Sequence, residues 1–360
     1  MIFFSAPLNA SGDRGFVLVF VLGFLVIVSL GLAYLASVLD QGMARSIEVD
    51  LRFRASLDEL ATEQTVLYLL ATRDKSFKGL NIDRPVGNDQ RKLSPFLSTK
   101  YDPVDPSIDF TGKHYLGVGS CKYSVEDSSS LVSLRSKTLG ELQKLLISLG
   151  KSASDSQRMI NVLQDYTDRD DDMRMLGGEK ASYGIMKDAP FPRNRFLSNP
   201  RELLNVKGWK DSLSDSAFQV VFAEVSPHVA DQLNFNTMTE RRIKWLAINS
   251  FASEKIIDSR KTGYFASRKD LKPYSSLFDK DSILRAAFLP SKNFKLNFSC
   301  DEMPIKAEMG VTMTPRSSIK PWEIDYRLHL PTTDRSNARY QQNKKIGEEE
   351  ALKRHNIFSG

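Results

Sequence analysis

From Phe16 to Leu39 the chain carries no charged residue and consists mainly of Val, Leu, Phe and Ile. At ~1.5 Å per residue that run crosses a hydrocarbon core of ~30 Å. A secretory signal peptide would have a shorter apolar core of ~7–15 residues ending at a small-residue cleavage site, and this run is too long for one. The expectation is a single membrane span at residues 16–39, with the rest of the chain outside the bilayer. Arg14 alone gives a weak positive-inside signal. Beyond the span, Ile47, Leu51, Leu57, Leu60, Leu67 and Leu70 recur near a three/four spacing among Arg52, Arg54, Asp58 and Glu59. The pattern predicts that one helix continues over residues 40–73.

The 360 residues are 41% hydrophobic with a net charge of +6, enough for a sizeable core and too balanced for the field of a nucleic-acid binder. Cys121 and Cys300 lack CxxC spacing, which argues against zinc or a redox motif. In an oxidising compartment they could form one disulfide; two separate buried thiols are the other reading. His114, His228, His329 and His355 are scattered, with no HExxH, GxSxG or phosphate-cradling loop, so no enzyme is expected.

Within residues 74–130, the stretch from Asp74 to Ser120 is polar and rich in turns, with a few short strands, and CKYSVEDSSSLVSL then reads as a half-buried strand. Residues 131–280 are helical in pattern. Leu139, Leu142, Leu145, Leu146 and Leu149 share a face ended by Gly150, and a second helix runs from Ser154 to Tyr166. That helix leads into the densest acidic stretch, DYTDRDDDMRMLGGEKASY. Asp168, Asp170, Asp172 and Glu179 echo the ligand spacing of an EF-hand, but Met173 stands where its turn needs glycine. Asn199, Pro200 and Glu202 predict a capped helix start, and Ser267 with Asp270 repeats the spacing. RELLNVKGW has the glycine turn of a helix-hairpin-helix nucleic-acid binder, a weak signal. The basic residues Arg241, Arg242, Lys244, Arg260, Lys261, Arg268 and Lys269 read as a solvated or partner face. FKLNFSCDEM, IKAEMGVTM and IDYRLHLP, within 281–330, predict antiparallel strands, and 331–360 a polar tail.

The order Arg14-Gly15-Phe16, with the apolar run starting at once, resembles the cleavage junction of type IV prepilins and pseudopilins. Phe20 stands where most of that family has glutamate. Val125, Asp127 and Leu131 match a strand-turn pattern in which Ser133 replaces asparagine. Asp165, Asp168, Asp170, Gly177, Glu179 and Tyr183 match an acidic motif, and LNFNT (233–237) a further marker. Together these resemble the K-type minor pseudopilin of the type II secretion system. The resemblance implies an α+β, type IV pilin-like fold: a long N-terminal transmembrane helix on an antiparallel sheet, with a large inserted all-helical domain. It also implies a leader (1–15) removed by prepilin peptidase between Gly15 and Phe16, and methylation of the new N-terminus. Calcium would be held by Asp165, Asp168, Asp170, Asp172 and Glu179, although Lys180 replaces one acidic residue of the motif.

The implied role is to cap the pseudopilus tip and initiate its assembly for protein export across the outer membrane. The implied partners are the I- and J-type minor pseudopilins, the major pseudopilin and the inner-membrane assembly platform. The bulk of the chain would then lie in the periplasm. The alternative is a tip pilin of a type IV pilus or DNA-uptake machine.

Overall fold

The computed structural model describes residues 14–85, 106–136, 139–183, 192–229, 232–247, 249–278 and 280–331. The leader before residue 14, most of the tail with His355, and the GNDQ and YDPVD stretches lie outside them. The long α1 (Arg14–Thr72) includes Gly15 and Phe16 in its first turn. Its residues through Ser56 form one compact unit and Leu57 onward belongs to the other. In the first unit the side chains from Leu18 to Leu39 are exposed, uncharged and mostly apolar, and the helix is long and apolar enough to cross a membrane. Two turn-spaced ion pairs, Arg52–Glu48 and Arg54–Asp50, follow where the sequence becomes charged.

In the second unit, after the short strands β1 (Arg73–Lys75), β2 (Gly79–Pro85) and β3 (Ile108–Asp109), come β4 (Thr111–Leu116) and β5 (Cys121–Asp127). β5 is more buried than a half-buried strand, and it stops at Asp127 instead of continuing through Ser133. A 3-10 turn at Ser128–Ser130 intervenes before the two-residue β6 (Val132–Ser133).

Helices follow: α2 (Gly140–Ser148), α3 (Ala153–Thr167) and α4 (Lys180–Tyr183), then α5 (Trp209–Ser212) and α6 (Asp215–Glu224). Two-residue strands β7 (Val225–Ser226) and β8 (Leu233–Asn234) lead to α7 (Glu240–Leu246), α8 (Ser250–Thr262), α9 (Arg268–Leu271) and α10 (Lys280–Leu284). After β9 (Ala286–Ala287), the strands β10 (Asn293–Cys300), β11 (Ile305–Met313) and β12 (Trp322–Pro331) complete a five-stranded antiparallel sheet in the order β12-β11-β10-β5-β4. The chain is therefore α+β, a long N-terminal helix with an antiparallel sheet, and helices inserted between the sheet's central strands.

Alternation along the strands explains the two faces. Phe294, Leu296 and Phe298 of β10, Tyr123 and Val125 of β5, and Met309 and Val311 of β11 bury one face against Val66, Leu67, Leu69 and Leu70 of α1. Ile47, Leu51, Leu57 and Leu60 are exposed, whereas Ala55, Glu59, Thr62 and Glu63 are buried, so Leu57 and Leu60 fall on a face of α1 turned away from the packed one. The other sheet face is polar and covered by the insertion, where Lys295 Nζ donates to the carbonyls of Phe222 and Ala223 at 2.8 and 2.9 Å. Register places Cys300 directly opposite Cys121, with Cα atoms 4.0 Å apart and the sulfurs bonded.

Within the insertion, Leu142, Leu145 and Leu146 meet Met159 and Leu163, and Gly150 at φ +88° allows the reversal between α2 and α3. Asn199 caps as expected, its Oδ1 accepting from the Arg201 amide at 3.0 Å with Pro200 following, but what it starts is not an α-helix. Pro200–Asn205 is a 3-10 segment, and Glu202 reaches back to the Ser198 amide and hydroxyl instead of the Asn199 amide. Arg193 holds that carboxylate from the other side at 2.8 Å. At Ser267 the reciprocal cap forms, though α9 spans one turn.

Candidate functional site

Three of the five candidate acidic ligands converge. Asp165 lies in the last turn of α3 and is fully buried, and Asp168 caps that helix. Glu179 arrives on the loop that returns toward α4. One carboxylate oxygen from each lies within 4.8 Å of the others. Asp170 and Asp172 do not join them: both side chains are exposed, and Asp170 Oδ1 accepts from the Asp172 amide at 3.1 Å in a local turn. The EF-hand spacing therefore does not make an EF-hand. Asp165, contributed by the helix ahead of the loop, takes the place that spacing would give to loop residues.

Negative groups at a helix C-terminus oppose the helix dipole, and α3 has no basic residue in its last turn. Arg174 supplies the compensation. Its Nη1 meets Asp165 Oδ1 at 2.6 Å and also Asp168 Oδ2, and its amide donates to Asp165 Oδ2 at 3.2 Å. The Gly178 amide adds a bond to Asp165 Oδ2 at 2.9 Å. Any side chain at Gly177 would collide with that same oxygen, so glycine is required there by close approach.

Glu179 receives none of this. Both its oxygens, with Asp168 Oδ1, are buried without a hydrogen-bond partner among the described residues. Burial first, then the charges of Asp165, Asp168, Asp171 and Asp170, push its carboxyl up from the ordinary range. A raised carboxyl stabilises the fold while protonated, and that contribution is lost as pH rises through the folded-state value. With a chelator present, thermal stability should fall between mildly acidic and neutral pH, and Glu179→Gln should flatten that fall; melting curves against pH measure it.

A second cluster gives physical meaning to markers that the sequence presents only as resemblance. Asp127, fully buried at the end of β5, accepts from Ser129 N and Oγ, Asn234 Nδ2, Thr237 Oγ1 and the Ser291 amide at 2.6 to 3.1 Å. Asn236 of the same LNFNT segment joins the Phe265 amide and carbonyl and the Phe288 carbonyl. The polar letters of LNFNT are therefore structural locks. Ser291 is absent from the sequence-derived candidates, and Asn234 and Asn236 enter there only as letters of LNFNT; the available signal was amides set within an apolar alternation, where burial obliges a partner.

The histidines yield one assembly that spacing could not reveal. His228 Nδ1 lies 3.1 Å from Ser226 Oγ and 3.3 Å from Ser128 Oγ, and its Nε2 lies 2.8 Å from Asp325 Oδ2. The residue types are those of a nucleophile, base and orienting acid. Both serines, however, are at most 1% exposed, which denies a substrate access. The cluster joins the edge strand β12 to the loop after β7.

The basic residues of 241–269 do not form one face. Arg242 is fully buried and paired with Glu141, Arg260 donates to the Met238 carbonyl, Lys261 pairs with Asp258, and Arg268 donates to the Leu284 carbonyl.

A solved structure described as the GspK-GspI-GspJ complex from the enterotoxigenic Escherichia coli Type 2 Secretion System contains a similar chain. The two are 12% identical, with a TM-score of 0.46 over 81% of this chain and 99% of that one. No curated protein matches. Residues 125–223, which include Asp127, both ends of the acidic cluster, α2 to α5 and all but the last residue of α6, match the family model described as Type II secretion system (T2SS), protein K. Over that segment the chain matches type II secretion system protein K, the family its motifs resemble.

Proposed function

We propose that the chain is a minor pseudopilin of the type II secretion system that caps the pseudopilus tip and initiates its assembly. The observation that carries this reading is one chain uniting a K-family segment with an anchoring α1 whose first turn has no acidic residue. A lone carboxylate in the bilayer centre costs about 2.5–3.5 kcal/mol on insertion scales and needs a neighbour's terminal amine to neutralise it. Phe20 removes that need and suits the subunit with no neighbour ahead of it. The exposed Ile47, Leu51, Leu57 and Leu60 fit burial among the helices of other pseudopilins, the I and J types at the tip and the major type below. The Cys121–Cys300 bond suits an oxidising periplasm. The inner membrane would hold the helix and the assembly platform, and prepilin peptidase would cut after Gly15. The role is assembly, with no catalytic step.

Gly15→Leu should block cleavage and secretion together; N-terminal sequencing of the membrane-extracted chain and a secretion assay measure both. A variant chain that is still processed to begin at Phe16, with secretion intact, would overturn the junction.

Asp165, Asp168 and Glu179 would hold a calcium ion. The fit rests on the unpartnered buried oxygens of Glu179 and Asp168: hard anionic donors that repel one another suit a divalent oxygen-seeking cation. When bound, calcium would supply the positive charge that Arg174 otherwise provides and would cross-link α3 to the loop before α4. Isothermal titration of the full chain in detergent should show calcium binding that Asp168→Ala combined with Glu179→Gln abolishes. Asp170→Ala combined with Asp172→Ala should weaken it by less than about tenfold, since exposed charges act through screened solvent.

A further inference from the structure

Beside the acidic cluster lies a cavity of about 510 Å³ that the tip-cap reading does not use. Leu134, Leu139 and Phe196 give it apolar surface, and Arg135, Arg169, Arg174 and Arg195 give it positive charge. Its volume is within the ~300–1,000 Å³ usual for ligand sites. Four guanidinium groups around one space repel each other, and Asp168 is the single acidic residue lining it.

Those arginines are poorly compensated. Neither Arg169 nor Arg195 has an ion pair among the described residues. Arg135 lays its guanidinium 4.6 Å over the Phe196 ring, and its Nε is buried with no acceptor. Arg174 is already shared with the carboxylates of Asp165 and Asp168. The fork of donors on each guanidinium matches a carboxylate in two-point geometry.

We propose that this cavity binds a carboxylate-bearing peptide segment of a partner protein, and that calcium in the neighbouring acidic cluster strengthens that binding through Arg174. Phosphodiester chains are a poorer fit. The cavity's rim continues into the acidic loop, where Asp171 approaches the lining residue Asn194 at 3.5 Å, and Phe196 has one face already covered by Arg135. A row of phosphates would run against Asp170, Asp171 and Asp172, whereas one or two carboxylates with an apolar neighbour fit between the arginines and the leucines.

The coupling, which rests on the calcium reading, follows from shared charge. Arg174 neutralises Asp165 and Asp168 when no cation is present. Were those carboxylates to hold calcium, their pull on the guanidinium would weaken and Arg174 could turn its donors to the cavity. Linkage requires the reverse effect of equal size, so an occupied cavity must raise calcium affinity.

The test uses full chain in detergent and a fluorescent tetraglutamate peptide read by polarisation, with inorganic phosphate and a single-stranded oligothymidylate as competitors. Peptide binding is expected, with neither competitor displacing it at equal concentration. Arg169→Glu combined with Arg195→Glu should weaken binding by about tenfold or more, as expected from two lost charge-assisted contacts. An unchanged melting curve for that variant separates loss of the site from loss of the fold. No peptide binding, equal binding by the variant, or preferential displacement by the oligonucleotide would each overturn the site. The calcium arm is separate: peptide binding that persists but does not tighten with calcium sinks the coupling alone, and titration of calcium without peptide shows whether the cation site itself has failed.

Discussion

Asp127→Ala should lower the stability of the protein by about 3–5 kcal/mol, the order expected when several buried donors lose their acceptor at about 1–3 kcal/mol each and some find other partners. The aspartate sits at the junction where the central strand β5 hands the chain to the insertion, and its donors come from three separated stretches: Ser129, the Asn234–Thr237 segment and Ser291. Truncation leaves five donors facing a void at a site with no exposure. Asp127→Asn preserves the shape but points an amide at some of those donors, so it should fall between wild type and alanine. Thermal or urea unfolding of the full chain in detergent measures the order. Equal stability of all three forms would show that water satisfies these donors as well as the carboxylate does.

Removing the disulfide should have a comparable effect for a different reason. Cys121 and Cys300 are separated by 179 residues, so the bond closes the whole insertion and the strands β5 and β10 into one loop. In the chain-entropy account such a long loop costs the unfolded state much of its freedom, and the loss on cutting it is about 2–5 kcal/mol. Cys121→Ser combined with Cys300→Ser should lower the melting temperature, and reductant should do the same to wild type but leave the double variant unmoved. The folded-state contacts change little, because Phe298 and Tyr123 next to the bond stay paired in register. An undiminished melting temperature in the variant would mean that the unfolded chain is already compact.

The two predictions rest on features of unequal legibility. The span, the strands of the C-terminal third and the helices at 140–148 and 153–167 can be read directly, since each depends on a local period: an uncharged run, alternation by two, leucines on one helical face. Asp165, Asp168 and Glu179 are legible as types in a pattern. Which two of the five candidates stay outside the cluster is not, because the loop's path is decided by Arg174, Gly177 and Gly178 folding back on Asp165. The α1 stripe departs from its expected packing at Ile47, Leu51, Leu57 and Leu60 for a related reason. Beside Leu57 and Leu60 the buried residues are Ala55, Glu59, Thr62 and Glu63, and the spacing of apolar residues does not say which face of the helix a partner covers.

What the sequence alone determined was everything set by a residue and its near neighbours: an apolar rod at the N-terminus, an α+β alternation of periods, and a dense acidic stretch. Only the tertiary structure decided which distant groups meet, including Asp127 with LNFNT and Ser291, His228 with Asp325, and Cys121 with Cys300. Burial explains the difference. A polar side chain removed from water must find a partner, and any segment that packing brings within about 3 Å can supply it, however far away it lies along the chain.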